Sequence, residues 1–255
     1  MINLKILITG ASSGIGKDMA RILAKKADEL VLVARDITKL EEVKKELEKE
    51  TKVEIISMDL SNEENCKEIH NRVKNVNILI NNAGFGECGD FTKTNLDKDL
   101  NMIKTNVIAY HILTKLYLTD MKAENKGKIL NVASIAGFMP GPLMATYYAT
   151  KNYVVRLSEA IREELKKEVS KVQISILCPG PVATDFNKVA NVKFNLREAD
   201  SMQVAKYAIK KLEKGKFYII PGIDVKIAKI GAKLLPTTLI SKCAYIAQKR
   251  KIGGE

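Results

Sequence analysis

The chain has 255 residues, 46% of them hydrophobic and 28% charged, an ordinary balance for a globular protein. Its four cysteines (Cys66, Cys88, Cys178, Cys243) are far apart with no C-x-x-C pair, and His70 and His111 lie in helical patterns without an acidic cluster beside them, so neither a disulfide framework nor a metal site is expected. The formal net charge is +12, but all except seven of the 42 basic residues are lysine, spread through runs such as LEEVKKELEKE, which reads as solvated helix faces and argues against nucleic acid as a partner.

The opening stretch, MINLKILITG, is apolar but soon meets turn residues, too short for a signal peptide or a membrane span, and a cytoplasmic location is expected. From there, apolar runs alternate with longer amphipathic ones. Strands are predicted at 4–10, 29–35, 53–59, 76–84, 127–134, 172–180 and 217–222. Helices are predicted near 15–26, 38–50, 62–74, 96–124, 146–169 and 199–214. Continuously apolar strands joined by helical crossovers imply a parallel sheet buried on both faces. The expected fold is therefore a single α/β domain, a Rossmann-type doubly wound sheet of about seven strands with its core in 1–222 and a basic amphipathic extension at 223–255. Ligands of such sheets sit at the carboxyl ends of the strands.

The first strand runs into TGASSGIG. Gly10 permits a tight turn, Gly14 lets backbone N–H groups of Ser12, Ser13 and Ile15 approach a pyrophosphate, and Gly16 lets helix and strand approach closely. The spacing, G-x-x-x-G-x-G, departs from the common G-x-G-x-x-G. At the end of the second strand, Ala34 stands where a carboxylate would hold a ribose 2′-OH. Arg35 follows it and suits a 2′-phosphate, and Asp36 reads as a helix cap, so NADP(H) is preferred, with NAD(H) as the alternative. Asp59 and Leu60 end the third strand. Asp59 is read either as an acceptor for an adenine amino group or as a helix N-cap. The NNAG segment ends the fourth, with Asn81, Asn82, Ala83 and Gly84 expected along the adenosine and ribose.

Two tyrosines precede a lysine in YYATK. On a helix, Tyr147 and Tyr148 lie four and three residues before Lys151, and both spacings share one face, so local geometry leaves the choice between them open. The ordered set TGASSGIG, NNAG, Asn106 in KTNVIAYHILT, Ser134 in NVASIAG, YYATK and CPGPVAT resembles the short-chain dehydrogenases/reductases over roughly residues 4 to 222. Within that family it resembles the NADP-dependent carbonyl, 3-oxoacyl and hydroxysteroid reductases. The family's Y-x-x-x-K pattern selects Tyr147 with Lys151. The resemblance implies Tyr147 as general acid/base, Lys151 on the nicotinamide ribose, Ser134 on the substrate oxygen and Asn106 holding a relay water. It also implies Pro179, Gly180, Val182 and Thr184 beside the nicotinamide, and a homodimer or homotetramer. A free tyrosine has a pKa near 10, and lowering it by ~3 units takes ~4 kcal/mol, which Lys151 and an oxidised nicotinamide are expected to supply.

The expected reaction interconverts a ketone and a secondary alcohol. An apolar substrate would meet Phe138, Met139, Leu143 and Met144, with a lid over 185–194. The alternative is a catalytically silent dinucleotide sensor or interaction module. For the 223–255 extension, a pocket cover or an oligomer contact ranks ahead of a helix lying on an anionic membrane surface.

Overall fold

The structure, a computed structural model, describes residues 4–184, 186, 190 and 198–252. Seven strands, β1 (Lys5–Thr9), β2 (Glu29–Ala34), β3 (Lys52–Ser57), β4 (Ile78–Asn81), β5 (Lys128–Val132), β6 (Gln173–Leu177) and β7 (Tyr218–Ile219), form one sheet in the order β3-β2-β1-β4-β5-β6-β7. Every neighbouring pair is parallel, with Leu7 opposite Val31 on one side and Leu79 on the other. The strand order reverses at β1 and β4, which opens a crevice at their carboxyl ends.

Alternation along each strand divides the core in two. Leu7, Val31, Leu79 and Ile129 face α3 (Glu63–Arg72), α5 (Ala109–Ala123) and α6 (Ala145–Lys167), packing with Ile69, Leu113, Tyr117 and Val154. Ile6, Ile8, Leu32 and Leu130 face α1 (Gly14–Ala24), α2 (Ile37–Leu47) and α7 (Ser201–Glu213), packing with Met19, Leu40, Val204 and Ala208. An inner strand such as β2, buried along its whole length, is apolar on both sides because both sides are covered, whereas edge strand β3 exposes Lys52 and Ser57.

Most strands are shorter than predicted at their carboxyl ends, where the chain leaves the ladder to build the crevice. The helix predicted over 96–124 is three pieces: α4 (Leu96–Ile103), a π-helical segment (Lys104–Ile108) and α5. The π segment, a form of helix frequent at functional sites, carries Asn106 fully buried. The extension folds as two helices, α8 (Ile223–Leu234) and α9 (Thr237–Ile252). Leu235 adopts an extended backbone ahead of Pro236, which excludes the helical conformation there.

Candidate active site

A cavity of about 450 Å³ runs along the carboxyl ends of the strands. Of the expected site residues, Gly10, Ser12, Ser13, Gly14, Ile15, Arg35, Asp59, Leu60, Asn82, Ala83 and Gly84 line one part of it. Ser134, Tyr147, Lys151, Pro179, Gly180, Val182 and Thr184 line the other. Eighteen residues drawn from seven segments of sequence therefore meet on one surface.

The turn after β1 is built for close approach. Gly10 has φ +64°, and a Cβ there would lie 2.8 Å from Ala83 Cα. Gly16 does not reach the cavity; a Cβ on it would collide with Gly10 O at 2.3 Å, so its part is the tight seating of α1. At the start of α1, Ser13 makes no side-chain cap and the first turn holds no acid, which leaves backbone donors and the positive helix end facing the cavity. Those features fit a pyrophosphate. Thr9, absent from the sequence reading, holds the facing wall: its Oγ1 accepts from Asn82 N at 2.9 Å and Ala83 N at 3.1 Å. Asn82 Nδ2 donates in turn to Thr9 O and Gly10 O, both at 3.1 Å.

Two expectations at this end need correction. Asn81 does not line the cavity; it is fully buried and donates to Thr114 Oγ1 and Asn131 Oδ1, each at 3.0 Å, because alternation at the end of β4 turns it inward and Asn82 outward. Asp59 is not a helix N-cap, since Asn62 caps α3 by accepting from Glu64 N. Asp59 instead accepts from Ser61 N at 2.9 Å while lining the cavity. Asp36 does cap α2, accepting from Lys39 N at 3.0 Å. Lys39 joins Arg35 on the cavity wall, a basic residue the sequence reading did not single out.

At the other end, Ser134 closes β5 and Tyr147 stands in the first turn of α6, one turn before Lys151. Burial pushes the Tyr147 phenol well above its ordinary value, and a hydrogen bond with Ser134 pulls against that. Lys151 is 4% exposed, donates to Val132 O at 3.0 Å and places Nζ 5.8 Å from the Tyr147 ring centroid. Burial lowers its pKa to about 8. At Tyr147 desolvation outweighs the bond with Ser134; the lowering expected of Tyr147 depends on Lys151 together with an oxidised nicotinamide.

Asn106 lies beside this group, since a Cβ on Gly84 would sit 2.9 Å from Asn106 Oδ1 and 3.4 Å from Lys151 Nζ. Its side chain accepts from Phe85 N at 3.1 Å and donates to Phe85 O at 2.8 Å and Thr150 Oγ1 at 3.2 Å. It clamps the loop after β4 to α6 and does not itself line the cavity. Of the four expected substrate contacts only Met144 lines it. Phe138 instead packs on Tyr218, 5.9 Å between ring centroids. The lid expected over 185–194 lies largely outside the described residues, of which Phe186 lines the cavity and packs on Tyr147 at 5.3 Å. Tyr148 and Gln248 complete this end, and no local pattern in α9 marks Gln248 as a site residue.

Comparison with known proteins agrees with this geometry. The family described as short chain dehydrogenase matches residues 4–194. An NADP-dependent 3-hydroxy acid dehydrogenase of Schizosaccharomyces pombe is 36% identical over 72% of this chain and 73% of its own. A very-long-chain 3-oxoacyl-CoA reductase of Bos taurus is 34% identical over 72% of this chain, which spans 61% of the bovine protein. Among solved structures, a short-chain dehydrogenase from Sphingobium yanoikuyae in complex with NADPH superposes with a TM-score of 0.83 at 29% identity, covering 90% of this chain and 93% of that one.

Proposed function

The chain belongs to the short-chain dehydrogenase family, and we propose that it interconverts an apolar ketone and its secondary alcohol with NADP(H), using Tyr147 as the general acid/base. The observation carrying this reading is the convergence of Ser134, Tyr147 and Lys151 on the same cavity as the glycine turn and the uncapped start of α1. A bound dinucleotide would supply the hydride exchange and, when oxidised, a positive charge beside the phenol. Gly10–Ile15, Asp59, Leu60, Asn82–Gly84 and Thr184 would hold it, and Lys151 would hold its ribose hydroxyls.

In the reductive direction Tyr147 donates its hydroxyl proton to the substrate oxygen as charge develops there. Ser134, hydrogen-bonded to Tyr147, aligns that oxygen and stabilises the charge. Lys151 lowers the cost of the phenolate left behind. Asn106 acts as a positioning residue through Phe85 and Thr150. The preference for NADP(H) rests on Arg35 at the wall, with the neighbouring Asp36 carboxylate committed to capping α2. The expected homo-oligomer has a candidate face where Phe91, Ile103 and Tyr153 stand exposed around a shallow apolar hollow.

The test is NADPH oxidation against a panel of small and bulky ketones. Wild type should turn over part of the panel, and Tyr147→Phe should bind NADPH while losing turnover by ~10²–10⁴. NADPH binding without turnover of any ketone in either direction would favour a silent sensor.

A further inference from the structure

We propose that the outward face of α8, continued by α9, docks on an anionic lipid surface. The orientation of α8 is fixed from its inner side. Val225 packs against Gly180, and the Lys229 ammonium sits 3.1 Å from the Tyr218 ring centroid and 5.0 Å from that of Phe138. The opposite side carries Ile223, Ile227, Ile230 and Leu234, exposed by 74%, 64%, 58% and 75%. Their spacing of four, three and four residues makes one continuous stripe along the helix. Leu235, Leu239 and Ile246 extend exposed apolar surface past Pro236 onto α9. A stripe of unpartnered large aliphatics on an ordinary surface helix is unusual and marks a contact face.

Charge identifies the occupant. Residues 223–252 contain seven lysines and arginines and a single acid, Asp224, so this segment carries +6, half of the chain's net +12. Lys226 and Lys233 are exposed beside the stripe. A second copy meeting this face about a two-fold axis would set Lys226 and Lys233 against like charges beside an apolar seam, which disfavours that contact. An anionic bilayer satisfies both parts of the surface, taking the aliphatics into its acyl boundary and the ammonium groups among its headgroups. Among the described residues no helix is long and apolar enough to cross a membrane, and twelve-residue α8 would lie in the plane of the surface. Because Gln248 of α9 lines the cavity, docking would set the cavity near the lipid; this consequence alone rests on the oxidoreductase reading.

Co-sedimentation of the full chain with phosphatidylcholine vesicles, with and without phosphatidylglycerol, tests the assignment. Wild type should pellet with the phosphatidylglycerol vesicles at low salt and be released as salt rises. Ile227→Asp/Ile230→Asp should bind at least ~10-fold more weakly, and Lys226→Glu/Lys233→Glu should lose the dependence on phosphatidylglycerol. Circular dichroism melts of both variants should match wild type, since all four side chains are exposed. Wild type remaining in the supernatant, or the aspartate variant pelleting equally, would overturn the proposal. So would a wild-type dimer in gel filtration, without vesicle binding, that the aspartate variant breaks. NADPH oxidation of soluble ketones, followed on the same variants, separates failure of docking from failure of the enzymatic reading.

Discussion

Gln248 Nε2 donates to the Tyr148 hydroxyl at 2.5 Å, joining the last helix to the first turn of α6 across 100 residues of sequence. Tyr148 also packs face-on over Gly141, where a Cβ would lie 2.1 Å from its ring. Its neighbour Tyr147 points instead to Ser134 and Lys151. Two adjacent tyrosines thus have different surroundings: one stands beside Ser134 and Lys151, and the other fastens the C-terminal helix to α6 at the cavity.

Tyr148→Phe should therefore leave kcat within a few-fold of wild type, in contrast to Tyr147→Phe. It should also speed amide hydrogen exchange in α9, because the tether to Gln248 is gone. A dead Tyr148→Phe enzyme would shift the catalytic role by one residue.

Gln248 is 2% exposed, and its Oε1 has no hydrogen-bond partner among the described residues. Exchanging the two amide atoms would still leave one of them unpaired, and an unpaired buried polar group costs about 1–3 kcal/mol. Gln248→Leu should leave kcat largely intact and change KM, lowering it for purely apolar ketones relative to ketones that carry a second polar group. An equal effect on both classes would remove Gln248 from substrate contact.

Arg35→Ala should raise the KM for NADPH ~10–100-fold and leave the KM for NADH nearly unchanged, as expected when a charge-assisted phosphate contact is lost. Equal changes for the two dinucleotides would contradict the assignment of Arg35 to a 2′-phosphate.

Lys151 gives a prediction about stability. Its folded pKa, about 8, lies below the free value of 10.5, so between those limits the unfolded chain holds a proton that the folded chain has shed. Stability of the cofactor-free protein from this group should rise with pH across that window, and the penalty is fully present below it. Lys151→Met should remove this pH dependence and stabilise the protein near neutrality by up to ~3 kcal/mol while abolishing activity. Val132 O keeps its bond from the Tyr110 hydroxyl at 3.1 Å, so the substitution leaves no orphaned carbonyl there. Melts of both proteins from about pH 7 to about pH 10 would decide, and parallel pH profiles would refute it.

Sequence alone determined the layered architecture and most of the cavity wall. A strand such as ELVLVA can only be covered on both faces, and short-range rules govern the residues at strand ends: a glycine turn, an uncapped helix start, a polar side chain facing the crevice. Those rules act over a few residues, which is why Gly10 is readable directly, whereas Ser134 and the choice of Tyr147 with Lys151 are legible only through the resemblance to the short-chain dehydrogenases/reductases. Tertiary structure decided what depends on contacts between distant segments. The exact end of β4 set Asn82 rather than Asn81 toward the cavity, and Asn106 spent its amide on Phe85 and Thr150. Burial pushes the Tyr147 phenol up, an influence the Tyr147–Lys151 spacing does not carry, because the cost of desolvation is a property of the packed interior and not of the lysine four residues away. The extension was legible as basic and amphipathic. Only its docking through Val225, Lys229 and Gln248 separated a face that covers the cavity from a face left open to the outside.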